Sequence, residues 1–217
     1  MPAEEAVEST IVTVIAGGEL ILPPKPDPRA FVIAADSGYD HALAHGIEVD
    51  LLIGDMDSVS SEGILDAETR GIPIIRHRTD KDETDLELAL RAAIDRGARR
   101  VDIHGGEGGT IAHLLGVALG LTSLRWADAA VTWHTATGRV RVVRSGYPVS
   151  VSRAEARTLS VIAVGDLRGV DMTGTRWELE DEDLAAGSTQ GVNNEITHDT
   201  AIVSVREGVG LVISEEG

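Results

Sequence analysis

Residues 31–58 read FVIAADSGYDHALAHGIEVDLLIGDMDS and contain a complete strand–helix–strand unit. The opening run, FVIAA at 31–35, is short, apolar and stopped by Asp36-Ser37-Gly38, as a buried strand is. Residues 39–46 carry a helical pattern, and a second apolar run, LLI at 51–53, ends on Gly54-Asp55. Two short strands joined by a helix predict parallel pairing, because parallel neighbours need a crossover connection.

The same rhythm extends on both sides. IVTVIA at 11–16 ends on Gly17-Gly18, IPII at 72–75 follows a helical stretch, and VDIH at 101–104 ends on Gly105-Gly106. Helix-like segments fall at 59–70, 84–97 and 110–123. Alternating strands and helices indicate a parallel α/β sheet. Its polar and glycine residues come just after the strands, at the carboxyl ends where open sheets bind ligands.

Near residue 136 the texture changes. VRVV at 140–143, VSVS at 149–152, LSVIAV at 159–164, AIVSV at 201–205 and LVI at 211–213 are separated by Gly and Asp turns, with no long helical pattern. These predict a small all-β sandwich or barrel. The expected division is residues 1–135 as an α/β catalytic domain and 136–217 as an all-β domain. The acidic run ELEDED at 178–183 reads as a solvated loop.

The chain has 217 residues and a formal net charge of −17, which disfavours nucleic acid and anionic membranes as partners. An anionic substrate then needs a local positive device. Cysteine is absent, excluding disulfides and thiolate chemistry. No apolar run approaches the roughly 20 residues of a membrane span, and MPAEEAVEST at the start lacks a signal peptide's apolar stretch, so a cytoplasmic enzyme is expected. Aromatics make up 3%, so aliphatic side chains must fill the core; Trp126 and Trp133 read as core residues. His41 and His45 share a helical face without a third ligand nearby, which reads as a solvated surface.

The chemistry-bearing residues are aspartates at strand ends. Asp36 follows one strand, Asp55 and Asp57 follow the next, and Asp80, Asp82 and Asp85 lie in TDKDETD before a helix. Hard cations take oxygen ligands, and Mg²⁺ typically takes one or two carboxylates plus substrate phosphates. Taken singly, Asp57-Ser58 and Asp82 to Asp85 also suit helix caps; three such turns on one sheet favour a metal site.

ADSGYDHALAHGIEVDLLIGDMDS followed by DKDETDLELAL resembles the thiamine pyrophosphokinase family, with its A-D-G-G-like turn, G-D-x-D-S and D-x-D-x-T-D in order. GTRWELE at 174–180 resembles the family's G-L-K-W-x-L segment, and GSTQGVNNE at 187–195 its Ser/Asn loop. The resemblance covers nearly the whole chain and implies a Rossmann-like α/β domain followed by a β domain. It further implies transfer of the β,γ-diphosphate of ATP to thiamine in a homodimer that holds thiamine at its interface. Asp55, Asp57, Asp82 and Asp85 would surround Mg²⁺ and the polyphosphate, with Asp36 and Ser58 nearby. Thr84, or the N–H groups opening its helix, would hold a phosphate oxygen. Gly108, Gly109 and His113, within GGEGGTIAHLLG at 105–116, match a further family pattern, in which Thr110, Ala112 and Val117 replace an Arg, an Asp and an Asn. By this resemblance Trp177 would stack on the acceptor ring, with Ser188 and Asn194 as polar contacts; from composition alone the β-domain core reading of Trp177 is the favoured one, and the G-x-x-W-x-L match reverses it.

Overall fold

In the computed structural model, residues 10–78 and 83–216 are described. The first part runs β1 (Thr10–Ile15), β2 (Phe31–Ala35), α1 (Gly38–Ala44), β3 (Leu51–Gly54), α2 (Ser61–Arg70), β4 (Ile74–Arg76), α3 (Asp85–Asp95), β5 (Ala98–His104), α4 (Ile111–Gly120), a short 3₁₀ turn (Leu124–Trp126) and β6 (Ala130–His134). The second runs β7 (Gly138–Arg144), β8 (Val149–Ser152), β9 (Thr158–Ala163), β10 (Leu167–Thr173), β11 (Leu179–Leu184), β12 (Asn194–Glu195), β13 (Thr200–Glu207) and β14 (Val209–Glu215).

Strands β4-β3-β2-β1-β5-β6 lie side by side and all pair in parallel. The sheet does not stop there. Strand β7 pairs antiparallel with β6, and β14, β9 and β12 continue it to a ten-stranded sheet. A second sheet, β11-β10-β13-β8, covers the antiparallel half. The expected α/β-then-β order is present, and the β part is a sandwich that shares its larger layer with the α/β part. The expected boundary at 135/136 falls in the β6–β7 turn.

Local sequence explains the elements. Ser60 caps α2 by accepting the Gly63 N–H, and Gly71 closes it in the left-handed conformation. Thr84 and Glu87 form a capping box on α3. At the start of α1, a Cβ on Gly38 would sit 2.0 Å from the Ile15 carbonyl oxygen, so only glycine lets this helix approach β1. Val14, Ile33, Leu88, Leu90, Ile103 and Trp126 belong to the core beneath α3, and Tyr39, Ala42 and Leu52 to the core beneath α1 and α2. Trp126 and Trp133 are buried as expected, their indole N–H groups donating to the Gly120 and Gly105 carbonyls. Among the described residues no helix is long and apolar enough to cross a membrane.

The run 178–183 is corrected. Leu179–Leu184 form an edge strand on β10, not a loop. Leu179 and Leu184 are buried at its ends, while Glu180 to Asp183 face solvent. The β10 ladder overrides the weak strand preference of acidic residues, and Asp181 adopts φ 50° where the register shifts. Charge on an edge also discourages pairing with another chain.

A stacked histidine pair closes β5 and β6. The rings of His104 and His134 lie 4.5 Å apart, and His134 Nε2 is 3.0 Å from Asp102 Oδ1. Burial, helped by the His134 charge, lowers the His104 pKa to about 4. The unfolded chain takes up this proton near pH 6.5 and the folded one only near pH 4. His104 therefore adds stability above pH 6.5 that is lost as pH falls toward 4, on the order of 2 kcal/mol. Chemical denaturation at pH 7 and 4.5 should show His104→Gln losing less stability over this range than the unmutated protein. Equal losses would remove His104 as the cause.

Candidate functional site

The carboxyl ends of β1, β2 and β5 open into a cavity of about 480 Å³ between α3 and α4. Strand order reverses between β1 and β5, the place where open α/β sheets bind ligands. Its polar wall carries Asp36, Ser37, Ser58, Thr84, Asp85 and His113, and its apolar wall Leu86, Leu90, Val117 and Leu121. Backbone at Gly17, Gly18 and Gly106 supplies surface without side chains.

The aspartates converge here. Asp36, Asp55 and Asp57 each present an oxygen within 4.8 Å of the others. Asp36 is buried: one oxygen accepts from Ser58 Oγ, and the other, Oδ1, has no hydrogen-bond partner among the described residues. Asp85, the first residue of α3, closes on the same point. A Cβ on Gly54 would lie 3.1 Å from Asp36 Cβ and 3.2 Å from Asp85 Oδ1. The Asp55 charge first, then partial desolvation, with Asp36 and Asp85 adding, pushes the Asp57 carboxyl above the usual carboxylate range. An all-oxygen set with an orphaned buried carboxylate oxygen fits a hard divalent cation. Asp82 and Asp80 lie outside the described residues.

The capping alternatives separate. Asp57 and Ser58 do not cap α2, since Ser60 does, held in turn by Asp40. Thr84 lines the cavity but spends its hydroxyl on the Glu87 N–H. Gly108 and Gly109 are not among the described residues lining the cavity; Gly106 is. Glu19 and Glu107 form an antiparallel bridge that turns the loop, and a Cβ on Gly108 would meet Glu19 Cδ at 2.5 Å. Thr110 is the N-cap of α4, accepting from the His113 N–H at 3.2 Å. His41 Nε2 meets the Gly18 carbonyl and His45 Nδ1 the His41 carbonyl, each at 2.8 Å, and neither belongs to the metal-competent group found among the described residues.

In the β part, Trp177 is 59% exposed, which excludes the core reading. Asn194 is buried at 2% exposure, and its carboxamide meets the Trp177 backbone. Ser188 forms an ordinary turn with the Gln190 N–H.

The model of the thiamin pyrophosphokinase catalytic domain matches residues 27–132, and that of the thiamin pyrophosphokinase vitamin B1 binding domain matches residues 147–210. The chain belongs to the thiamine pyrophosphokinase family. Within the family it is 25% identical over 207 residues to the thiamine pyrophosphokinase of Bacillus subtilis, covering 93% of this chain and 97% of that one. The crystal structure of the Bacillus subtilis protein superposes with a TM-score of 0.85 at 24% identity, over 96% of this chain and all of that one. The Geobacillus thermodenitrificans structure gives 0.83 at 24% identity, over 96% and 98%. The Candida albicans structure gives 0.75 at 14% identity, over 94% and 90%. These superpositions establish a shared fold. The catalytic-domain match spans every element that carries the aspartates, and the vitamin B1 match spans Trp177, Ser188 and Asn194.

Proposed function

We propose that this chain transfers the β,γ-diphosphate of ATP to the hydroxyethyl group of thiamine and releases AMP, with Mg²⁺ bound at the aspartate cluster. The convergence of Asp36, Asp55, Asp57 and Asp85 beside a cavity floored by glycine backbone carries this reading. Asp36, Asp55, Asp57 and Asp85 would hold the metal, and we keep Asp82 beside them as a ligand on the strength of its motif. Bound Mg²⁺ supplies the positive charge that a triphosphate needs in this acidic surface and polarises the phosphoryl oxygens. The apolar wall of Leu86, Leu90, Val117 and Leu121 suits the adenine face, and the Gly17, Gly18 and Gly106 backbone admits the phosphates closely. The thiamine hydroxyl oxygen forms a bond to Pβ as the bond from Pβ to the α,β-bridging oxygen breaks. AMP leaves with that oxygen, and the hydroxyl proton passes to the carboxylate cluster. Trp177 offers its exposed ring to the flat acceptor.

We also propose a homodimer. Helix α4, IAHLLGVALG, has no charged residue, and Ile111, Leu115 and Leu119 are exposed on a chain of net charge −17. Covering this apolar face is favourable at about 25 cal/mol per Å². The chain's own Trp177 is not among the described residues lining the cavity, so stacking on the acceptor there would call for the partner's Trp177. Leu115→Glu should turn the dimer into a monomer by light scattering without lowering the melting temperature of the isolated chain. A dimer that persists in this variant places the interface elsewhere.

A panel of alcohols, thiamine first and a hydroxymethyl pterin second, tests the acceptor by AMP release. Thiamine as preferred substrate is expected. Preference for the pterin overturns the acceptor, and nucleotide or thiamine diphosphate binding without turnover overturns catalysis.

A further inference from the structure

Between β10 and β11, residues 174–178 form a loop whose backbone is tied down along its length. The Gly174 N–H donates to Glu178 Oε1 at 2.7 Å, Thr175 bridges to Ile196, and the Arg176 N–H donates to the Glu195 carbonyl at 2.9 Å. Trp177 is held by one side chain at both ends of its backbone. Its N–H donates to Asn194 Oδ1 at 3.1 Å, and its carbonyl accepts from Asn194 Nδ2 at 2.6 Å. The chemistry fixes the amide orientation, since the N–H needs the oxygen and the carbonyl needs the nitrogen. Asn194 sits in β12, paired with Leu159 of β9, and its Nδ2 also faces Met172 Sδ at 3.7 Å. Its carboxamide is thus buried and engaged, while the indole it holds projects into solvent with the Arg176 guanidinium 5.1 Å from the ring centre.

We infer that Asn194 is a positioning residue for the acceptor: it fixes the Trp177 backbone so that the indole is presented in one orientation before the acceptor binds. This rests on the reading that Trp177 stacks on the acceptor. A ring on an unanchored loop would have to be ordered at each binding event, at a cost in affinity. Arg176, held near the Glu195 carboxylate at 3.4 Å, stays beside the same ring and narrows its freedom further.

The test uses the full chain with Asn194→Ala and Asn194→Asp, each alone and combined with Trp177→Ala. The aspartate keeps the acceptor for the Trp177 N–H and the shape of the site but loses the donor to the carbonyl, so it serves if the alanine variant folds poorly. Thiamine KM, ATP KM and thiamine quenching of the exposed indole are measured. Thiamine KM should rise roughly three- to tenfold, as for loss of a buried hydrogen bond, with ATP KM unchanged. Once Trp177 is alanine, neither Asn194 change should weaken thiamine further. Full additivity, equal rises in both KM values, or an unchanged thiamine KM while Trp177→Ala raises it would overturn the positioning role. An unchanged thiamine KM in Trp177→Ala would instead remove the stacking reading, and this role with it.

Discussion

Asp55→Asn is expected to lower turnover at least about 100-fold, the scale on which loss of a preorganised charge at a reacting phosphoryl group is felt. The melting temperature of the metal-free protein should stay the same or rise slightly. The two readouts diverge because of the charges. Asp55 is the first cause of the raised Asp57 carboxyl, so these groups repel in the absence of a cation. Removing one relieves that repulsion, while the polyphosphate loses part of its metal site. Kinetics and calorimetry on one preparation decide it, and EDTA should reduce the unmutated enzyme to background. A variant that loses melting temperature and activity together would make Asp55 structural. Full activity in EDTA would remove the metal.

Trp177→Ala is the second large effect. A stacked, partly desolvated ring–cation contact is worth on the order of 1–2 kcal/mol. At 1.36 kcal/mol per tenfold, acceptor use should fall roughly five- to thirty-fold. A core tryptophan would instead cost about 3–5 kcal/mol of stability on truncation. With the ring 59% exposed, the melting temperature should barely move and ATP KM should hold. A collapse in melting temperature would contradict the exposed geometry, and an unchanged thiamine KM would end the stacking role.

Much of this was legible in the sequence, for identifiable reasons. Strands β2 and β8 coincide with FVIAA and VSVS because short apolar or alternating runs between turn residues have few other uses. The aspartates were legible because a parallel sheet delivers its strand-end residues to one edge. Strand β11 was not, since four consecutive acidic residues carry no strand signal and only their pairing with β10 makes them one. Nor was the sharing of one sheet across β6 and β7, because AVTWH at 130–134 shows too little alternation to stand out. In the site, Ser37, Gly17, Gly18 and Gly106 line the cavity through contacts between loops distant in sequence. The Gly17-Gly18 and Gly105-Gly106 strand stops were the available signal. Gly108 and Gly109 matched a motif, while the cavity lining among the described residues takes Gly106 from the same loop. The substitution at Thr110 has a local role, capping α4. Asn194 stood out in the sequence through the Ser/Asn loop, but its burial and its two hydrogen bonds to the Trp177 backbone are tertiary facts.

One measurement bears on diphosphate transfer itself. ATP labelled at the β-phosphate is incubated with thiamine, Mg²⁺ and the purified protein, and the products are separated. The account predicts that the label appears in thiamine diphosphate, with AMP formed in equal amount. Label retained in ADP, or AMP released without labelled thiamine diphosphate, would contradict it.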